Sequence, residues 1–338
     1  MMATPLRLSA FFALCVLLVC SALIAVTLGP AEISPGEVWT IVLHHLGILP
    51  ESPVSRLRDA IVWELRLPRV LVACGIGAGL ALAGAVMQAL TRNPLADPYL
   101  LGLSSGAALG AVTVLLTGAA LLMPIGAFLG ALAALGMALG IAHLLGGATP
   151  SRAILAGICI SALASAATSF LIFWSATGDS YREILSWLMG SLSGSLWSDV
   201  GLVCAGLLLC APVILLSARA LDGFVFGNVS AASLGIDVNR LRWMLLIATA
   251  ILTGIMVAIG GAIGFVGLVV PHAVRLVTGA RHRRLLPWSM VVGALVMLWA
   301  DTAARTLFDP RELPVGIVTA LIGAPAFFFV LMRYRRVT

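Results

Sequence analysis

Arg66 and Arg69 place two guanidiniums one helical turn apart in Arg66-Leu67-Pro68-Arg69, just ahead of a long apolar run. Paired guanidiniums at that spacing suit bidentate capture of carboxylates. Asp301 and Arg305 stand four residues apart in a later run, where a helix would set them on one face and let them pair with each other. His272 and Arg275 are one turn apart, and with no second ligand at metal spacing we read them as hydrogen-bonded structure. The six cysteines, Cys15, Cys20, Cys74, Cys159, Cys204 and Cys210, fall inside apolar stretches without CxxC or Cys/His spacing, as small buried residues do. All 20 basic residues are arginine. A phosphate-binding loop needs a lysine to reach the β and γ phosphates, so this chain has no such route to nucleotide hydrolysis. Hydrolysis within lipid would need HExxH or a nucleophile beside a base, and neither is present.

The elements that must hold these groups are membrane spans. Of 338 residues, 61% are hydrophobic and 10% charged, far from the roughly one quarter charged of a soluble domain. Apolar runs bounded by Gly, Pro and charge predict ten spans, near 8–29, 70–90, 95–117, 120–146, 151–175, 196–218, 242–260, 262–279, 286–307 and 315–332. Backbone groups in lipid must be satisfied within their own segment, so the fold is all-α and polytopic, one transmembrane domain over 1–338. The run after Arg7 is too long for a signal peptide and reads as the first span.

Charge sets the expected orientation. With the N-terminus inside, 13 arginines fall on the cytoplasmic side against Asp97, Asp222 and Asp237, while seven arginines and eleven acids fall outside. Ten spans then return the C-terminus to the cytoplasm. The arginines are scattered among apolar spans rather than gathered on one polar face, which excludes a nucleic-acid surface. Gly84-Ala85-Val86 precedes Pro94 by the same distance as Gly261-Ala262-Ile263 precedes Pro271, five spans apart, so spans two to five and seven to ten form a candidate inverted repeat. The span centres carry almost none of the Asp, Glu, His or Lys that ion-coupled carriers keep near the midplane. A self-sufficient secondary transporter or channel is the alternative class, and transport by the chain alone would mark it.

Several segments, in order, resemble the permeases of ABC importers that take up iron-siderophores, haem and cobalamin. They are Arg66-Leu67-Pro68-Arg69, Gly84-Ala85-Val86-Met87-Gln88-Ala89-Leu90, Asn93-Pro94-Leu95-Ala96-Asp97-Pro98, Leu101-Gly102-Leu103-Ser104-Ser105-Gly106-Ala107 and Trp187-Leu188-Met189-Gly190-Ser191-Leu192. Further on come Gly261-Ala262-Ile263-Gly264-Phe265-Val266-Gly267-Leu268 with Pro271-His272 and Arg275, then Asp301, Arg305, Glu312-Leu313-Pro314-Val315-Gly316 and Gly323-Ala324-Pro325-Ala326-Phe327. The stretches 84–107 and 261–276 look like the cobalamin permease.

The resemblance implies a bacterial inner-membrane permease, working as a homodimer with a pathway along its two-fold axis. Its partners would be an ABC ATPase, which uses ATP and Mg, and a periplasmic substrate-binding protein; this chain itself would bind no cofactor. The turn at Asn93 and Leu95 becomes one cytoplasmic gate, with Thr149 and Ser151 as the second, although Pro150 departs from the expected pattern. The connection Arg219–Arg242 becomes the ATPase-coupling segment through Ala231, Ser233, Leu234 and Gly235; as residues alone it is a long loop whose Phe224, Phe226, Leu234 and Ile236 want an apolar partner. Arg66, Arg69 and Arg305 become docking points for binding-protein glutamates. Ferric siderophore is the first expectation for the substrate, with haem and cobalamin as alternatives, and His44-His45 in the first outer loop is either a haem contact or simply solvated.

Overall fold

The computed structural model describes residues 4–29, 31–50, 54–145, 150–175, 177–225, 237–308 and 311–334, and among these there are helices and connections but no strand. α1 (Thr4–Thr27) is an unbroken apolar helix with much of its surface exposed, as a lipid-facing helix must be. Two short helices follow that the apolar runs did not announce, α2 (Pro35–His45) and α3 (Arg56–Ala60). α2 starts on a capping box: Ser34 Oγ accepts the Glu37 amide, and Glu37 accepts the Ser34 amide. That amide bond, helped by Arg58, holds the Glu37 carboxyl below the usual carboxylate range.

α3 runs through a π-helical turn, Ile61–Arg66, into α4 (Leu67–Thr91), giving 36 continuous helical residues from 56 to 91. The wide turn resets the helical register immediately before Arg69. α4 is the axis of the molecule. Nearly every residue from Pro68 to Leu90 is buried, and α1, α9 and four later helices pack around it.

After α4 the chain does not re-form a helix near residue 95 as expected. Arg92 takes the left-handed conformation (φ 51°), Pro94 and Pro98 interrupt the backbone, and a 3-10 turn, Pro98–Leu101, precedes α5 (Leu103–Leu116). Then come α6 (Met123–Leu144), α7 (Pro150–Ser175), the short amphipathic α8 (Gly178–Leu188), α9 (Trp197–Leu216), α10 (Ala218–Val225), α11 (Val238–Gly260), α12 (Val266–Thr278), α13 (His282–Thr306) and α14 (Val315–Tyr334). Among the described residues seven helices are long and apolar enough to cross a membrane, and three shorter apolar ones (α5, α12 and α14 through Phe329) lie within the other three apolar runs read from the sequence. The order long, short, long recurs in α4–α6 and α11–α13, in keeping with the repeat.

Small residues set the spacing of these helices. A Cβ on Gly84 of α4 would lie 1.8 Å from the Gly267 carbonyl oxygen of α12, and one on Gly77 would lie 2.1 Å from that of Gly293 in α13. α4 is therefore locked between α12 and α13 at backbone contact. In lipid, where no hydrophobic force drives helices together, such close approach supplies the packing.

Candidate functional site

The two ends of α4 mark two ends of the bundle, and each described candidate residue lies at one of them or along α7. At the Arg69 end the expected open fork of guanidiniums is not what the fold builds. Arg66, Arg69 and Arg305 are all buried, and each has partners within the chain. Arg66 donates from Nη1 to the Val26 and Thr27 carbonyls (2.9 Å each) and from Nη2 to Ala31 O (2.6 Å). Arg305 donates to Leu28 O (3.0 Å) and to Ala25 O. The last carbonyls of α1 have no helical partner of their own and carry the negative end of its dipole, so Arg66, from the π-helical turn before α4, and Arg305 of α13 cap it together.

Arg69 meets acids instead. Its Nε lies 3.0 Å from both carboxylate oxygens of Asp301, and its Nη1 lies 2.7 Å from Glu312 Oε2. Asp301 is thus claimed by Arg69 rather than by Arg305 at i+4, whose Nε is 3.9 Å away. The two acids differ in access: the Asp301 side chain is 1% exposed, that of Glu312 42%. Glu312 is the one solvent-facing member of this network.

Beside it, His45 stacks on Trp63 (centroids 4.0 Å apart) and its Nε2 sits 2.9 Å from Asp59. Trp197 packs on Trp63 and donates to its carbonyl. His44 is bonded to Leu49 O, so both histidines have partners within the chain.

At the Arg92 end, Asn93 folds the connection on itself: its Oδ1 accepts the Leu95 amide (2.9 Å) and its carbonyl accepts that of Ala96. Asn93 and Leu95 are exposed. Asp97 accepts the Tyr99 amide (2.8 Å), and burial pushes its carboxyl up to about 6. The Tyr99 hydroxyl reaches Ile263 O, tying this connection to the one between α11 and α12. Ser151 is exposed in the first turn of α7, and Gly157 one and a half turns on lies against the backbone of Leu100 and Leu101. The fold thus brings the start of α7 beside the Asn93–Leu101 connection. Thr149, Ala231, Ser233, Leu234 and Gly235 lie outside the described residues.

Of the apolar residues expected to seek a partner outside the chain, Phe224 has one inside it. It is 2% exposed, with the Arg242 guanidinium 5.7 Å from its ring centroid. Two further contacts at this end were not foreseen. Gln88 donates to Leu268 O and accepts from Arg275. Asp222 accepts from both the backbone amide (2.8 Å) and Nδ1 (2.7 Å) of His282. Nothing in the sequence pairs residues so far apart; the type of each, a polar group on an apolar helix, was the only signal.

Along α7 the exposed arc has two edges. Ser161, Ser165 and Ser169 recur at every fourth residue on one side, with Ser165 Oγ 3.3 Å from Ser105 Oγ of α5. Leu163, Phe170 and Trp174 stand exposed on the other. A row of hydroxyls has no reason to face hydrocarbon, whereas it suits a watery surface.

With this geometry in hand, the relatives are informative. The profile of the FecCD transport family matches residues 16–333. The cobalamin import system permease protein BtuC of Halobacterium salinarum is 41% identical over 307 residues, 90% of this chain and 82% of its own length. The hemin transport system permease protein HmuU of Yersinia pestis is 40% identical, covering 95% of each chain. The Fe(3+) dicitrate transport system permease protein FecD of Escherichia coli is also 40% identical, over 86% of this chain and 93% of its own. A solved structure described as a metal-chelate type ABC transporter in an inward-facing conformation superimposes with a TM-score of 0.85 at 34% identity, over 96% of this chain and 99% of that one.

Proposed function

The chain belongs to the FecCD transport family of multi-pass membrane permeases, and from that premise we propose that it is the membrane subunit of an ATP-driven importer for a ferric siderophore. Haem and cobalamin are the alternative cargoes, since relatives named for each are about equally similar. The observation that carries the reading is the near full-length likeness to a metal-chelate type ABC transporter. The lysine-free sequence complements it, because work from ATP and Mg must then come from a partner ATPase.

In this reading the arginine-rich Arg92 end is cytoplasmic, as are both termini, and the protein sits in a bacterial inner membrane. The connection from Arg219 to Arg242 takes up the movement of the ATPase, with Ala231, Ser233, Leu234 and Gly235 at the contact. Asn93 and Leu95, with Thr149 and Ser151 at the head of α7, close the pathway on the cytoplasmic side. A second copy of the chain completes that pathway, and the hydroxyl edge of α7 lines it. Hydroxyls and small residues give a bland wall that releases a bulky chelate rather than holding it, which leaves selectivity to a periplasmic binding protein.

That binding protein docks at the Arg69 end. Because Arg66 and Arg305 are committed to α1, Arg69 is the guanidinium that an incoming carboxylate reaches first, by displacing the exposed Glu312 while buried Asp301 stays. Arg66 and Arg305 join as the ends of α1 and α13 adjust.

The cargo is tested by reconstituting the chain with its ATPase and binding protein in proteoliposomes and presenting ferric siderophore, haem and cobalamin in turn. ATP-dependent accumulation of the siderophore is expected; accumulation of haem or cobalamin alone reassigns the cargo, and accumulation of none contradicts the importer reading.

A further inference from the structure

α10 is an eight-residue helix that directly precedes the 226–236 stretch, and it is fixed to the bundle by three of its residues. Leu221 and Phe224 are buried, and Phe224 lies beside Arg242 of α11. Between them, Asp222 reaches across to α13. One oxygen, Oδ1, receives both the amide of His282 and its imidazole Nδ1, at 2.8 and 2.7 Å. The residue that precedes α13, Arg281, offers no side-chain cap of its own. An aspartate sixty residues earlier thus does the work normally done by the preceding Ser, Thr or Asp, and its effect is to join two helices rather than to finish one.

What α13 is joined to gives the contact its reach. Midway along, Gly293 meets Gly77 of α4 at backbone distance, so α13 and α4 form one packed unit. At the far end Asp301 holds Arg69 of α4, and Arg305 holds the Ala25 carbonyl of α1 and that of Leu28 just beyond it. A contiguous chain of hydrogen bonds and close packing therefore runs from α10, at the Arg92 end, to the Arg69 network at the opposite end.

We propose that Asp222 is a positioning residue that converts displacement of α10 into displacement of the α13–α4 pair, through its two hydrogen bonds to His282. This rests on the reading that the connection takes up the motion of the ATPase. The competing role is a plain anchor, in which Asp222 only completes the start of α13.

The assembled complex, with its ATPase and binding protein in proteoliposomes, separates the two when uptake per ATP hydrolysed is measured for wild type, Asp222→Ala and Asp222→Asn. The coupling role predicts that Asp222→Ala lowers that ratio by roughly fivefold or more while ATP is still hydrolysed. Asp222→Asn keeps an acceptor oxygen at the same place and retains most of the wild-type ratio. An Asp222→Ala complex with the wild-type ratio overturns the proposal. So does one in which uptake and hydrolysis fall together with the yield of assembled complex, which is the anchor's signature, and so does Asp222→Asn failing as badly as Asp222→Ala. Wild type that hydrolyses ATP yet imports none of the three chelates removes the underlying transport reading instead, and this inference with it.

Discussion

Glu312 and Asp97 show how much a single side chain's surroundings decide. Arg69 is held by one acid that water cannot reach and by one that it can, so exchange of partners at Arg69 goes through Glu312. Glu312→Gln should tighten docking of the binding protein several-fold, because the internal competitor loses its charge. Titration calorimetry on the purified complex reads this directly, and weaker docking would mean that Glu312 itself contributes to the partner's site. Asp97 makes a different prediction. Its carboxyl is pushed up to about 6 by burial in the connection after α4. Between the ordinary carboxylate value and 6 the folded connection holds a proton that the unfolded chain has lost. The stabilising effect is therefore complete in acid and disappears as pH rises through 6. Melting temperatures measured from pH 5 to 8 should fall for wild type and change less for Asp97→Asn, which still accepts the Tyr99 amide. An unchanged slope in Asp97→Asn would place the titrating group elsewhere.

At the scale of elements, helix positions follow from glycine. Gly84 and Gly77 hold α4 at backbone distance from α12 and α13, where no side chain fits between. Gly84→Val should cost more than the roughly 1–3 kcal/mol of ordinary overpacking, since the obstruction is a carbonyl rather than a movable side chain. We expect loss of the folded, monodisperse species in size-exclusion chromatography; normal folding would show that α4 and α12 can separate. Ten apolar helices were legible in the sequence because hydropathy alone demands them. The short helices α2, α3, α8 and α10 were not, since each is too brief or too polar to stand out from a connection. The late start of α5 was overlooked for a related reason: hydropathy runs on through Leu95-Ala96, while Pro94, Asp97 and Pro98 shape the backbone locally. Candidate residues were recognisable by type, but their partners were not. Arg69 to Glu312 and Asp222 to His282 are contacts between distant segments, and only the packed bundle decides that Asp301 serves Arg69 before Arg305.

At the scale of the whole molecule, both ends of one packed unit are engaged: α13 is tied to α10 at one end and to Arg69 and α1 at the other. On the proposed reading such a unit transmits motion, and the work comes from a partner's nucleotide, since the sequence holds no lysine for a phosphate-binding loop. In the proposed importer the hydroxyl edge of α7 faces a second copy of the chain, and the arginine-rich end faces the cytoplasm. The claim beneath all of this is that transport depends on a partner's ATP hydrolysis. The direct measurement is uptake of radiolabelled ferric siderophore, haem and cobalamin into proteoliposomes holding the purified chain, with and without its ATPase, the binding protein present throughout. The account predicts uphill accumulation of one of them only when the ATPase and ATP are both there; accumulation against a gradient by this chain without the ATPase would contradict it.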